Sequence, residues 1–231
     1  MKKKTQIYLV GNAHLDPVWQ WRWQEGSAEA KATIRSALDR MKEFPEFRFV
    51  CSSASVYQWV QEFAPGMFEE LKQRVNEGRF IVVGGWHVQP DCNLPSGEAL
   101  ARQSLYAQRY FKETLGVTAK VGYDVDSFGH NAMLPQILKK SGMDSYIFMR
   151  PAPHEKKLDS DVFNWVSPDG SSVLTYRILD PYCFNFEDEA KFEERMEYLN
   201  ENSASDLDEL PFFYGVGNHG GGPTIRNLEV L

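Results

Sequence analysis

The stretch Ile7-Tyr8-Leu9-Val10-Gly11-Asn12-Ala13-His14-Leu15-Asp16 decides the class of fold. Its apolar first half, residues 7–11, is too short for the core of a signal peptide and is typical of a buried β-strand. Polar groups follow directly. In an extended segment His14 and Asp16 point the same way, because side chains alternate with a period of two. The pattern predicts a first strand with chemistry at its carboxyl end.

The same alternation continues along the chain, with short apolar runs separated by helical patterns. Six further strands are predicted at 48–52, 80–84, 120–124, 145–149, 172–178 and 211–216. Helices are predicted at 27–44 with Ser27 as N-cap, 55–76 with a break at Pro65, 96–115, 131–141 and 187–202. Most strands are apolar throughout, which favours burial on both faces. We expect an α/β fold, specifically a seven-stranded, mostly parallel β/α barrel that is distorted or incompletely closed, with an open sheet as the alternative.

Composition narrows the classes of protein. The chain has 231 residues, 42% of them hydrophobic, which suits one domain over 1–231. A net charge of −7 argues against a nucleic-acid partner, and no apolar run reaches the roughly 18 residues of a membrane helix. The three cysteines, Cys51, Cys92 and Cys183, are too widely spaced for a disulfide framework, which indicates a reducing, cytoplasmic location.

Residues that carry chemistry gather after the predicted strands, at the edge where ligands bind in parallel α/β folds. They are His14, Asp16, Trp86, His87, Asp91, Asp126, His130, Arg150, His154, Asp180, Asn218 and His219. The imidazole and carboxylate of His14 and Asp16 suit a shared Zn²⁺, with a surface turn as the alternative. Asp126 suits a metal ligand, nucleophile or general base, or a plain turn. Trp19 and Trp86 hint at carbohydrate binding, although most such aromatic residues belong to a core.

Five ordered motifs resemble glycoside hydrolase family 38, the α-mannosidases. They are residues 11–16 with Trp19, 84–86 leading to 90–98, 123–130, 148–151 and 217–224. The resemblance covers essentially the whole chain and looks like the bacterial, cytoplasmic-type members. It implies that residues 1–231 are a truncated N-terminal catalytic barrel domain, without the helical and β-rich domains that follow in the family.

The resemblance also implies a mechanism. His14, Asp16 and Asp126 match three ligands of a single Zn²⁺, and the fourth, a His, comes from beyond residue 231 in the family. Asp126 also matches the nucleophile, which forms a covalent mannosyl-enzyme in a retaining hydrolysis of terminal α-mannosides. Arg150 matches a position beside it, where a fixed positive charge keeps Asp126 ionised.

The substrate-binding set implied by the resemblance is Trp19, Trp86, Asp91, Asp180 and Asn218. Relatives carry an Asp where this chain has Asn218 and His219, so the acid/base is left between His219, Asp180 and a group outside the sequence. Two alternatives stay open: a metal-dependent sugar deacetylase, which the lack of an HxxxH pair disfavours, and a catalytically incompetent sugar-binding fragment. An unfinished barrel would expose apolar surface, which predicts self-association into a homo-oligomer.

Overall fold

The computed structural model describes residues 6–179, 181–204, 208–217 and 219–231, and within them eight strands alternate with seven α-helices. The strands are β1 (Gln6–Asn12), β2 (Phe49–Cys51), β3 (Phe80–Val82), β4 (Val121–Asp124), β5 (Ser145–Phe148), β6 (Val162–Val166), β7 (Ser172–Arg177) and β8 (Glu209–Tyr214). The helices are α1 (Trp23–Glu43), α2 (Ala54–Phe63), α3 (Pro65–Asn76), α4 (Gly97–Tyr110), α5 (Leu134–Lys140), α6 (Glu189–Asn202) and α7 (Ile225–Val230). A π-helical turn, Phe111–Leu115, continues α4.

The strands form two four-stranded sheets, ordered β3-β2-β1-β8 and β4-β5-β7-β6. All pairs are parallel except β6 with β7, an antiparallel hairpin. The predicted α/β class therefore holds, but the predicted seven-stranded barrel, distorted or incompletely closed, is not confirmed, because the described strands form two separate sheets. A backbone hydrogen bond from Gly84 N, two residues after β3, to Val121 O of β4 is 2.8 Å long and links the two sheets.

An apolar cluster contains residues from both sheets, including Val10 and Val50 of the first and Ile147 and Tyr176 of the second. Helices α1, α2 and α3 cover the first sheet through a second cluster that includes the fully buried Leu38. Strand β1 is not buried on both faces, because Tyr8 is 47% exposed. No described helix has the length and apolar character needed to cross a membrane.

The predicted N-cap of the first helix is wrong. Helix α1 begins at Trp23, so Ser27 lies buried inside it. The first turn lies against the loop that follows β1: a Cβ added to Gly26 would be 2.2 Å from the carbonyl oxygen of Pro17. A glycine at this position thus allows the close approach of α1 to the loop after β1. By contrast, Ser96 caps α4 by accepting a hydrogen bond from Ala99 N, 3.2 Å away.

Asn12, the last residue of β1, joins the two sheets through its buried side chain. Its Nδ2 donates to the carbonyl oxygens of Tyr182, at 2.7 Å, and Tyr214, at 3.3 Å. The hydroxyl of Tyr123, in β4, donates to Asn12 Oδ1 at 3.3 Å. One amide therefore links β1 with a strand of the other sheet, with β8 and with the segment after β7.

An ion pair between α1 and α3 gives a pH-dependent contribution to stability. Arg35 donates to both oxygens of Glu70, at 2.8 and 3.0 Å, and lowers the pKa of Glu70 to about 2. Because the folded-state pKa lies below the unfolded value, this stabilisation is present above about pH 4.3 and is lost as pH falls towards 2. We expect Glu70→Gln to lower the free energy of unfolding by about 1 kcal/mol at pH 7.

Urea titrations of the wild type and Glu70→Gln between pH 7 and 2 test this, and their difference should shrink as the pH falls. Glu69→Gln is the matched control, because Glu69 is the preceding residue and its side chain is 65% exposed. A stability difference for Glu70→Gln that stays constant with pH would contradict the expectation.

Candidate active site

A cleft of about 500 Å³ lies at the carboxyl ends of the parallel strands. Its lining includes His14, Asp16, Trp19, Trp21, Gln89, Asp91, Asp126, Phe128, Tyr182 and His219. These residues follow β1, β3, β4, β7 and β8, so residues from both sheets contribute to one site. The strand-end rule therefore identifies the face of the fold that carries the cleft.

His14 lies between two carboxylates. Its Nε2 is 3.3 Å from Asp16 Oδ1 and 3.8 Å from Asp126 Oδ2. The hydrogen bond with His14 lowers the pKa of Asp16, which keeps that carboxylate ionised. Two of these residues come from the loop after β1 and the third from the loop after β4, so the junction of the two sheets creates the cluster.

Asp126 is held on its other side by Arg150, the second residue after β5. Arg150 Nε donates to Asp126 Oδ1 at 2.9 Å, and the guanidinium lies 4.6 Å from the centre of the Phe128 ring. The side chains of Asp126 and Arg150 are 26% and 34% exposed, and Asp126 lines the cleft. The arrangement fixes one carboxylate oxygen and leaves the other facing His14.

The donor set around His14 suits zinc chemically. Two ligands of a tetrahedral zinc, each about 2.0–2.1 Å from the metal, lie about 3.3–3.4 Å apart. The separation between His14 and Asp16 is 3.3 Å, and that between His14 and Asp126 is 3.8 Å. Within the described ranges, however, no three His, Cys, Asp or Glu side chains form a ready metal site. Zinc binding therefore stays a prediction.

Gln89 is a site residue that the sequence analysis missed. With its amide oriented to satisfy its neighbours, its oxygen accepts from the backbone N–H groups of Val125 and Asp126, both at 3.1 Å. Its nitrogen then lies 3.3 Å from His14 Nδ1. Gln89 lies in the loop that follows β3 and lines the cleft. Applying the strand-end rule to every polar residue, and not only to charged ones, would have found it.

The structure corrects the predicted role of Trp86 in substrate binding. The prediction placed it against substrate, but it is fully buried and its Nε1 donates to Asp124 Oδ2 at 3.0 Å. Asp124 is itself buried, which raises its pKa to about 7. Asp124 therefore does not line the cleft that holds Asp126. Trp86 packs beneath the site and cannot contact a ligand in the cleft directly.

Two other predicted substrate residues do line the cleft. Trp19 is 68% exposed, and its ring packs edge-on against Trp21. Asp91 Oδ1 accepts from the backbone N–H groups of Asn93 and Leu94, both at 2.8 Å, and these bonds lower the pKa of Asp91. Asp180 and Asn218 lie outside the described residues.

His219, one of the residues proposed from the sequence for acid/base chemistry, lies at the cleft beside Trp21 and Glu25, which were not in the predicted set of site residues. The centre of its ring is 3.6 Å from that of Trp21, and its Nε2 is 3.5 Å from Glu25 Oε1. Trp21 in turn donates to the backbone oxygen of Asp16 at 3.1 Å. Glu25 lies in the first turn of α1, a placement that follows from the early start of that helix.

The fold and the cleft define an α/β protein with a small-molecule site of carboxylates, histidines and aromatic rings at the strand ends. The sequence model described as "Glycosyl hydrolases family 38 N-terminal domain" matches residues 4–231. The chain belongs to this family.

Relatives of the chain are α-mannosidases. It is 34% identical over 234 residues to "Alpha-mannosidase G" of Dictyostelium discoideum, an alignment covering 100% of this chain and 21% of that protein. It is 31% identical over 230 residues to the α-mannosidase of Saccharomyces cerevisiae, covering 98% and 21%. A crystal structure of an α-mannosidase from Enterococcus faecalis V583 shares the fold, with a TM-score of 0.83 at 19% identity over 95% of this chain and 26% of that one. The chain spans about a fifth of the length of these curated relatives.

Proposed function

We propose that the chain carries the catalytic site of a Zn²⁺-dependent retaining α-mannosidase, which hydrolyses terminal α-mannosides through a covalent mannosyl-enzyme on Asp126. The observation that carries the proposal is the meeting of His14, Asp16 and Asp126 in one cleft of a family 38 chain, with Arg150 bonded to Asp126. The deacetylase alternative is not favoured, because the relatives at 31–34% identity are α-mannosidases.

Asp126 has the surroundings that a nucleophile needs. Arg150 places a positive charge beside the carboxylate and orients it through Oδ1. Asp126 Oδ2, which does not accept from Arg150, attacks the anomeric carbon while the bond from that carbon to the leaving oxygen breaks. A second group protonates the leaving oxygen. Water later releases mannose with retained configuration, as that second group takes a proton from it. His219 and Asp180 are the residues of this chain proposed for that second role.

His14, Asp16 and Asp126 would hold the zinc, with a fourth ligand from outside this sequence. Bound there, zinc would act as a Lewis acid and orient the sugar hydroxyls. Trp19 supports a sugar ring, because its exposed face can pack on the C–H face of a pyranose. Asp91 is proposed to accept from sugar hydroxyls through Oδ2, since Oδ1 already accepts two backbone hydrogen bonds.

The proposed setting is the cytoplasm, and the free thiols of Cys51, Cys92 and Cys183 support a reducing compartment. Self-association also stays a prediction. The exposed apolar side chains of β1, Tyr8 and Leu9, offer a surface for it.

The test of the zinc site is elemental analysis of the purified chain after dialysis against buffered Zn²⁺. We expect about one zinc per chain in the wild type and loss of it in His14→Ala, because that change removes the only nitrogen ligand proposed among the described residues. His154→Ala is the matched control, since His154 is exposed and does not line the cleft. Equal zinc in the wild type and His14→Ala would contradict the proposed ligand set.

A further inference from the structure

A hydrogen-bonded chain leads from the buried core to the backbone of Arg150. The fully buried Tyr146, in β5, places its hydroxyl 2.8 Å from His130 Nδ1. The other ring nitrogen, His130 Nε2, lies 2.7 Å from the carbonyl oxygen of Arg150. His130 is thus bonded on both sides, although it does not line the cleft that holds Asp126.

The partners of His130 fix its tautomer. A carbonyl oxygen can only accept, so Nε2 carries the proton and donates to Arg150. Nδ1 is then free to accept from the hydroxyl of Tyr146. Burial lowers the pKa of His130, which favours this neutral ring at pH 7. Rings of Tyr146, Phe148 and Trp165 pack around the imidazole, with centroids 4.9–6.2 Å away, and hold its orientation.

The two backbone segments joined by the hydrogen bond between His130 and Arg150 are held differently. The segment that carries His130 is fixed to the loop after β3 by the hydrogen bond from Asn131 N to Cys92 O, 3.1 Å long. Arg150, in contrast, lies two residues beyond the end of β5 at Phe148, and Pro151 after it has no N–H to donate. The imidazole therefore holds the main chain of Arg150 where the strand ladder has ended.

We propose that His130 is a positioning residue: its Nε2–H fixes the Arg150 carbonyl, and through the backbone it aims the Arg150 guanidinium at Asp126. The consequence for turnover rests on the proposed function, whereas the placement of Arg150 does not. Arg150 orients the proposed nucleophile at 2.9 Å, so a small shift of its backbone weakens the contact that presents Asp126 to the sugar.

Two substitutions separate the donor role from packing. Gln places an amide N–H near the position of Nε2, so His130→Gln keeps the donor to Arg150. Asn places its amide near Nδ1, so His130→Asn can still meet Tyr146 but loses that donor. Both variants remove the ring, so a purely structural role for His130 predicts similar behaviour for the two.

The readout is the Nε–H signal of Arg150 in ¹⁵N NMR spectra of the chain, assigned by its loss in Arg150→Lys. We expect exchange of this proton with water to speed up about 5- to 10-fold in His130→Asn, as for the loss of one hydrogen bond, and to change little in His130→Gln. Tyr146→Phe is a third variant. It removes the hydroxyl that fixes the tautomer of His130, so it should speed up this exchange several-fold. Equal effects of the Asn and Gln variants, in either direction, would overturn the proposal, as would an unchanged rate in Tyr146→Phe.

Activity gives an independent measure. With an aryl α-mannoside, His130→Asn should lower kcat about 100-fold with KM changed less than about 3-fold, and His130→Gln should stay near the wild type. If the protein with its fourth zinc ligand present hydrolyses no mannoside, the proposed function fails, but the NMR comparison still decides whether His130 places Arg150.

Discussion

Asp126→Asn is expected to lower kcat/KM for an aryl α-mannoside by at least about 1,000-fold, because an amide cannot form the glycosyl ester that the proposed mechanism requires. The fold should survive, since the amide oxygen of Asn can still accept from Arg150 Nε as Asp126 Oδ1 does now. Steady-state hydrolysis gives the effect, and the urea midpoint of the variant checks its stability.

Asp144→Asn is the matched control, because Asp144 is 68% exposed and bonds Lys139 away from the cleft. A mechanism-based label, a fluorinated mannosyl fluoride that forms a slowly hydrolysed ester, gives a second measurement. Mass spectrometry should find one glycosyl adduct on the peptide that contains Asp126 in the wild type, and none in Asp126→Asn. Normal turnover in Asp126→Asn would remove Asp126 from the nucleophile's role.

The largest effect on stability is expected at a buried ion pair, Asp161 with Arg177. Their side chains are 1% and 3% exposed, and Arg177 Nη2 lies 3.3 Å from Asp161 Oδ1. Asp161 Oδ2 also accepts from the backbone of Ala204 at 2.6 Å. Asp161→Asn leaves the guanidinium buried without a counter-charge, so we expect the free energy of unfolding to fall by about 3–5 kcal/mol.

Urea unfolding of Asp161→Asn, Arg177→Met and the double variant measures this. The double variant should lose less than the sum of the two single changes, because it removes the charge that each single change leaves unpaired. Arg102→Met is the exposed control: Arg102 pairs with Glu98 on α4 and is 59% exposed, so this change should lower the free energy of unfolding far less. An Asp161→Asn effect no larger than that of Arg102→Met would contradict the expectation.

Much of this architecture follows from local sequence patterns. The run that became β1 was predicted to within a residue at each end, because an apolar stretch ending in Gly11 and Asn12 offers few other interpretations. The break at Pro65 separated α2 from α3 as predicted, since proline is favoured in the first turn of a helix. Strand ends were therefore placed well enough to locate the cleft.

Strand β6 was missed, although a signal was present. Residues 162–166 and β7 flank Pro168-Asp169-Gly170, a sequence typical of a tight turn, and the structure forms a hairpin there. Mostly parallel strands joined by helices were predicted, and no strand was predicted at 162–166. The division of the strands into two sheets could not be predicted from the sequence. The order in which strands pair depends on contacts between distant residues, and the local hydrophobic pattern does not encode it.

Within the site, local patterns indicated which residues are chemically active but not which ones support them. Trp86 and Trp19 look alike in sequence, yet one is fully buried and the other is 68% exposed. That difference arises from the packing of Trp86 over β4, where Asp124 meets its indole nitrogen. Burial of a single aromatic residue depends on tertiary contacts, so only the structure separates the two roles.

The amide of Asn12 has a consequence for how this chain can vary over evolution. Three backbone or side-chain groups, from Tyr123, Tyr182 and Tyr214, rely on one side chain that both donates and accepts. An aspartate would keep the acceptor but present a charge to two carbonyl oxygens, and a leucine would leave all three groups unpaired. We therefore expect descendants of this chain to retain Asn12, while an exposed polar residue of the same strand, Gln6, varies more freely.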